Sequence, residues 1–180
     1  ELIENNKYKI MQNNKNNYMT SDELLNFYIH LVTNYPIKSI EDPFDQDDWE
    51  NWTKLNKAIG SQVQIVGDDL LVTSINKIKT SISKNSANTV LIKPNQIGTI
   101  SETLDAISFA HENNLNTIIS HRSGDTEDSF IADLAIGTQA TQIKSGAPAR
   151  SERTAKYNRI SEIIAQNKNT NYLGLKAMKI

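Results

Sequence analysis

The sequence contains no cysteine among its 180 residues, which excludes disulfides, thiolate nucleophiles and cysteine-bound zinc or iron–sulfur centres together and fits a reducing compartment. Glycine and proline are scarce, at 7 and 4. That is too few for a collagen-like or mucin-like chain, and 38% hydrophobic with 22% charged residues places the composition in the globular range. No apolar run approaches the roughly 20 residues that cross a bilayer, so no membrane span is expected. Neither charge sign dominates. Nineteen basic against twenty-one acidic side chains leave a net charge of −2, with no overall electrostatic footprint for nucleic acid or anionic lipid. Residues 1–17 are rich in Asn and Lys and lack the apolar centre of a signal peptide. The length suits one domain, or a substantial piece of a larger one.

What the sequence does contain is a repeated pattern. Residues 1–19 read as a polar, loop-like leader, and residues 20–180 as repeating units. A helix over Asp22 to Thr33 carries Leu24, Leu25, Tyr28, Ile29 and Val32 at helical spacing behind a Thr20-to-Glu23 capping box. Short apolar runs then recur about every 25 residues: Ile37 to Ile40, Val63 to Val66, Thr89 to Ile92, Thr117 to Ile119 and Thr141 to Ile143. Helix-like stretches separate or follow them at Asp47 to Ala58, Ile75 to Lys84, Ile100 to Glu112, Phe130 to Ile136 and Glu152 to Gln166. Gly60 and Gly137 stand where helix C-caps belong. Strands alternating with helices predict an α/β fold with about five parallel βα units behind a leading helix. Spacing alone does not separate an open sheet from a barrel. Neither GxGxxG nor GxxxxGK[ST] occurs, and five units are too few for a closed (β/α)₈ barrel, so a barrel reading implies its second half only.

The runs end in Glu41-Asp42, Asp68-Asp69, Lys93, Ser120-His121-Arg122-Ser123 and Lys144-Ser145. In a parallel barrel these C-terminal ends share one face, so the ionisable groups would converge there. Each acid taken alone is more often a helix cap or a solvated loop group. Together they form a recognisable chemistry: Glu41 and Asp68 offer hard oxygen ligands for Mg²⁺, and Arg122 with Ser123 offers a fork and a hydroxyl for phosphate. A lysine amine crowded by cations is driven toward its neutral, basic form. Lys93 and Lys144 are therefore candidates for removing a proton beside a metal-bound carboxylate.

The segments Ser39-Ile40-Glu41-Asp42-Pro43-Phe44, Val66-Gly67-Asp68-Asp69-Leu70, Leu91 to Thr99, Ser120 to Asp128 and Gln142 to Arg153 resemble, in order, the motif series of the enolase family. The match runs from about Tyr18 to the C-terminus; Asp125 stands where the family usually has Glu, and Ser145 lies at a variable position. The resemblance implies the second half of an enolase-type TIM barrel and Mg²⁺-dependent, reversible dehydration of 2-phosphoglycerate to phosphoenolpyruvate in glycolysis. It implies Glu41 and Asp68 as metal ligands, Lys93 as the base at C2 and Lys144 at the substrate carboxylate. Arg122 and Ser123 would contact phosphate, and His121 would belong to the substrate pocket.

In the family, a further ligand Asp, the general-acid Glu and an N-terminal domain precede the matched segment. The expectation is therefore a C-terminal portion of the catalytic barrel domain, lacking the first barrel strands and inactive by itself. As a whole protein it would be cytoplasmic, with a cell-surface pool in some organisms, and a homodimer or higher homo-oligomer. The alternative is an inactive fragment or truncated paralogue that acts as a binding module, for instance for plasminogen. Asp42 and Asp69 are read as loop or N-cap acids, His30 and His111 as surface groups, and Trp49 and Trp52 as packing residues. Arg150, Glu152 and Arg153 read equally as an ion network beneath the site or as subunit contacts.

Overall fold

The computed structural model describes residues 3–4, 7–12, 14–140, 142–167, 171–178 and 180. Thr141, expected to open the last strand, lies outside the described residues.

The leader departs from expectation. Strands β1 (Ile3–Glu4), β2 (Lys7–Gln12) and β3 (Lys15–Met19) form an antiparallel sheet, with Asn14 in the left-handed region between the second and third. Asn tolerates that conformation better than other side-chain-bearing residues do. The strand signal is weak because, among the described residues of the leader, only Tyr8, Ile10 and Met19 reach the core, whereas Met11 is largely exposed. The Tyr8 ring meets Phe44 edge-on, and its hydroxyl accepts from the Asp45 amide at 2.9 Å and donates to Asp48 Oδ2 at 3.2 Å. Burial, with the nearby Asp48 carboxylate acting in the same direction, pushes the Tyr8 phenol up to about 12.

Helix α1 (Ser21–Asn34) starts on the expected capping box: Thr20 accepts from the Glu23 amide, and Glu23 accepts from the Thr20 amide at 2.8 Å. The parallel sheet follows as β4 (Ser39–Glu41), β5 (Gln64–Gly67), β6 (Thr89–Ile92), β7 (Asn116–Ser120) and β8 (Gln142–Lys144), hydrogen-bonded in sequence order. Between the strands lie α2 (Trp49–Ile59), α3 (Ile75–Lys84), the single-turn α4 (Pro94–Ile97), α5 (Ile100–Glu112) and α6 (Phe130–Gly137). Helix α7 (Ser151–Gln166) and a 3₁₀ turn at Gly174–Met178 complete the described chain. Gly60 caps α2 as expected, in a right-handed conformation, whereas Gly137 is the last residue of α6 with Thr138 as its cap; α7 starts one residue earlier than expected, at Ser151, with Arg150 as its cap.

Period-two alternation divides the sheet into two faces. Ile65, Val90, Ile92 and Ile119, with the partly buried Ile40 and Ile143, join the main core with the helices. The opposite face carries a separate small layer of Val66, Leu91 and Ile118. On the helix side, α2 shows why these helices form and dock: Trp52, Leu55 and Ile59 recur at helical spacing and are buried, and Trp52 Nε1 donates to the Asp45 carbonyl at 2.9 Å. Asn88 ties strand to strand, accepting from the Ile65 amide at 2.8 Å and donating to the carbonyls of Gly60 and Val63 at 2.9 and 3.0 Å.

Candidate active site

Two residues beyond Val66, Leu91 and Ile118 stand Asp68, Lys93 and Ser120, so alternation places these three on the face opposite the helices. Register adds Glu41, paired with Val66, and Lys144, paired with Ser120. Strand ends far apart in sequence thus meet at one rim, as their order predicts.

The two lysines each hold one of the predicted metal-ligand carboxylates. Lys93 Nζ lies 2.5 Å from Asp68 Oδ2, with side chains only 14% and 10% exposed. Lys144 Nζ reaches both oxygens of Glu41, at 2.6 and 2.8 Å, nearer to solvent. Glu41 belongs to β4 and Lys144 to β8, the two edge strands of the sheet. The sheet therefore curves until the C-terminal ends of its edges touch, as strands of a barrel do. An exposed pair of this kind adds about 1 kcal/mol or less. Its importance is positional.

Around Asp68 the carboxylate oxygens of Asp42, Asp68 and Asp69 lie within 4.8 Å of one another. Glu41, engaged by Lys144, is not part of that trio. Asp42 behaves as the loop acid expected from sequence: in a left-handed conformation, φ 42°, it accepts from the amides of Asp68 and Asp69 at 2.8 and 2.9 Å. Burial pushes its carboxyl up to about 6, and the neighbouring Asp68 and Asp69 act in the same direction against the two amides. Hard carboxylate oxygens clustered at a concave rim are the donor set Mg²⁺ prefers. The donor chemistry of Asp42, Asp68 and Asp69 fits such an ion, whereas both Glu41 oxygens are held by Lys144.

His121 follows β7 directly, and its amide donates to the Lys144 carbonyl at 3.0 Å. Burial lowers the affinity of its imidazole for a proton; Arg153, Lys144 and Lys156 act in the same direction, and Asp125 opposes them. A Cβ added at Gly146, whose φ is +77°, would lie 3.3 Å from His121 Cε1 and 2.7 Å from Arg153 Cδ. Only glycine gives the backbone both that conformation and that approach. Arg122 and Ser123 are exposed on the loop beyond. Arg122 lines a cavity of about 130 Å³ with Asn95, Ser120 and Asp125, among others, and Ser123 does not. The loop is supported from beneath by Lys156 of α7, which is 1% exposed and donates to the carbonyls of Thr126 and Glu152.

Three supporting residues carried no sequence signal for their roles. Thr73, Gln96 and Lys156 lie outside strand ends and resemble ordinary loop or helix positions. His111, read as a surface group, is half-buried with Nε2 2.8 Å from Thr117 Oγ1. His30 is exposed and contacts Asn34, Trp52 is fully buried, and Trp49 packs against the core. Glu152 and Arg153 lie 3.8 Å apart as an ion pair near the site. Among the described residues, no helix is long and apolar enough to cross a membrane.

Comparison with known proteins matches this arrangement to one family. The model of "Enolase, C-terminal TIM barrel domain" matches residues 2–180. An enolase of Helicobacter pylori (strain HPAG1) is 50% identical over 180 residues, covering 99% of this chain and 42% of that relative. The chain thus spans less than half the length of the curated relative it matches. With a match along nearly its whole length and five parallel βα units in barrel order, the chain belongs to the enolase family, as part of its C-terminal TIM barrel domain.

Proposed function

We propose that the protein carrying this chain is a Mg²⁺-dependent lyase that reversibly dehydrates 2-phosphoglycerate to phosphoenolpyruvate. The observation that carries the reading is the pairing of two lysines with two carboxylates at one rim of the parallel sheet, Lys93 with Asp68 and Lys144 with Glu41. Removing a proton beside a carboxylate requires a base, countercharge for the enolate that forms, and a grip on the carboxylate itself.

In this reading Lys93 accepts the proton from C2 of the substrate. The electron pair left on C2 becomes the new C2–C3 double bond as the C3 hydroxyl departs, and with one proton from a general acid it leaves as water. Lys144 contacts the substrate carboxylate, a role supported by its two-oxygen grip on Glu41. Arg122 and Ser123 hold the phosphate, and His121 forms part of the pocket wall. Glu41 and Asp68 would hold Mg²⁺, which supplies positive charge beside the substrate carboxylate where negative charge develops. Action in glycolysis, in the cytoplasm and as a homodimer or higher homo-oligomer belongs to the same proposal and rests on family membership.

The test is an assay of the protein expressed from its complete coding sequence, following the ultraviolet absorbance of the enol product from 2-phosphoglycerate. Product formation that needs Mg²⁺ and stops with a chelator is expected. No product at any Mg²⁺ concentration, from a folded protein, would contradict the assignment.

A further inference from the structure

Asp68 and Lys93 are linked a second time, through Thr73, which no motif marks, and Gln96, which lies in the Leu91 to Thr99 segment without an assigned role. Thr73 Oγ1 accepts from the Lys93 amide at 2.9 Å and lies 3.1 Å from Gln96 Oε1, and Gln96 Nε2 lies 3.3 Å from Asp68 Oδ1. With the Lys93–Asp68 pair at 2.5 Å, these contacts form a circuit of four residues that closes through the Lys93 backbone. Its hydrogen-bond directions are determined by chemistry. A carboxylate only accepts, so Gln96 must turn its NH₂ toward Asp68; its carbonyl oxygen then faces Thr73, whose hydroxyl proton has that oxygen at 3.1 Å as its nearer acceptor and the Lys93 carbonyl at 3.4 Å as the farther one, and whose oxygen keeps a lone pair for the Lys93 amide.

The backbone supports the same conclusion. Thr73 is fully buried, and it and Val72 are β-branched residues held at φ 58° and 41°. β-Branched residues rarely adopt the left-handed region, and strain of this kind persists where the surrounding structure holds it for a purpose. Here it aims the Thr73 hydroxyl at the strand end that carries Lys93. Gln96 sits on α4, one turn after Lys93, where Pro94 starts the helix and Gly98, at φ 100°, ends it.

We infer that Thr73 and Gln96 are positioning residues that set the distance and orientation of Asp68 relative to Lys93; the inference rests on the functional reading above and extends it. Neither touches the reacting atoms. Gln96 holds one Asp68 oxygen in place, so that the other faces the Lys93 amine, and Thr73 fixes both the Gln96 amide and the Lys93 backbone.

The experiment uses the protein from its complete coding sequence and four variants: Thr73→Val, Thr73→Ser, Gln96→Leu and Gln96→Glu. Two quantities are measured, the steady-state constants and Mg²⁺ affinity by calorimetry without substrate. Loss of an outer partner typically costs on the order of 10- to 100-fold in affinity or activity. Thr73→Val and Gln96→Leu should therefore lose at least about tenfold in kcat with KM changed by less than about threefold, and Mg²⁺ affinity should fall with kcat. Thr73→Ser, which keeps the hydroxyl, should stay near the parent. Gln96→Glu has the same shape but sets a carboxylate against Asp68, and it should be the most impaired. If kcat and Mg²⁺ affinity stay within about threefold in Gln96→Leu and Gln96→Glu while only the melting temperature falls, the role is packing and the inference is wrong. Gln96 is only half-buried, so its variants answer the question even where Thr73→Val does not fold. Lys93→Ala, run alongside, separates the two levels. Retained C2 proton exchange there overturns the base assignment, whereas loss there with unimpaired Gln96 variants overturns the positioning role alone.

Discussion

Lys93 and Asp68, 25 residues apart in sequence, meet with Nζ 2.5 Å from Oδ2 at the ends of neighbouring strand segments, largely shielded from water. A charged pair in that setting is sensitive to the loss of either partner, because the remaining charge keeps its desolvation cost without its counter-ion.

Asp68→Asn should accordingly do two things. Stability should fall by about 3 kcal/mol, the low end for breaking a buried pair, as read by urea denaturation. Mg²⁺ affinity should fall by at least the roughly 10- to 100-fold expected for loss of an outer partner, and excess Mg²⁺ should partly restore activity. Glu41→Gln should weaken Mg²⁺ binding with less loss of stability, because its lysine partner lies nearer to solvent. Calorimetric titration of both variants checks the contrast; equal stability losses would contradict it.

Asn88→Ala should destabilise the fold by about 2–3 kcal/mol. The substitution strands the Ile65 amide and removes both donors to Gly60 and Val63, and unpaired buried groups cost roughly 1–3 kcal/mol. Asn88→Asp keeps the acceptor but loses the donors, so it should not rescue the protein. The urea midpoint measures both.

Tyr8 gives the pH-dependent prediction. Its folded pKa is raised to about 12 from the ordinary phenol value of 10.0, so the folded state holds that proton where the unfolded chain has lost it. The contribution of the Tyr8 phenol to stability is complete below pH about 10 and is lost as pH rises through about 12. The difference in stability between the parent and Tyr8→Phe should therefore shrink over that interval. A difference independent of pH there would mean that the leader sheet does not dock on Asp45 and Asp48 as described.

Much of the architecture was legible because its signals are local. The runs containing Ile40, Ile65, Val90, Ile118 and Ile143 each form a strand, and the Thr20 box starts a helix, since a capping hydroxyl and a period of apolar residues act within a few positions. The leader sheet is not legible in the sequence because β2 and β3 offer few apolar side chains and Tyr8 docks on Phe44, Asp45 and Asp48 far along the chain. The site was legible at strand ends, where position alone implies convergence. Thr73 and Gln96 were not: one depends on a left-handed backbone and the other on a single turn of helix, and neither has a residue-type signature. The ion pairs were also hidden, because sequence places Lys93 and Asp68 at one rim without saying which amine faces which carboxylate.

The central claim is that Lys93 removes the C2 proton. The most direct measurement follows exchange of that proton of 2-phosphoglycerate with deuterated water, by NMR, in the protein from its complete coding sequence and in Lys93→Ala. The account predicts that exchange in the variant falls by at least the roughly 10²–10⁴-fold that a general base contributes, while Mg²⁺ and substrate still bind and added Mg²⁺ restores nothing. Near-normal exchange in Lys93→Ala, or its recovery on adding Mg²⁺, would contradict the account and move the base to Lys144 or His121.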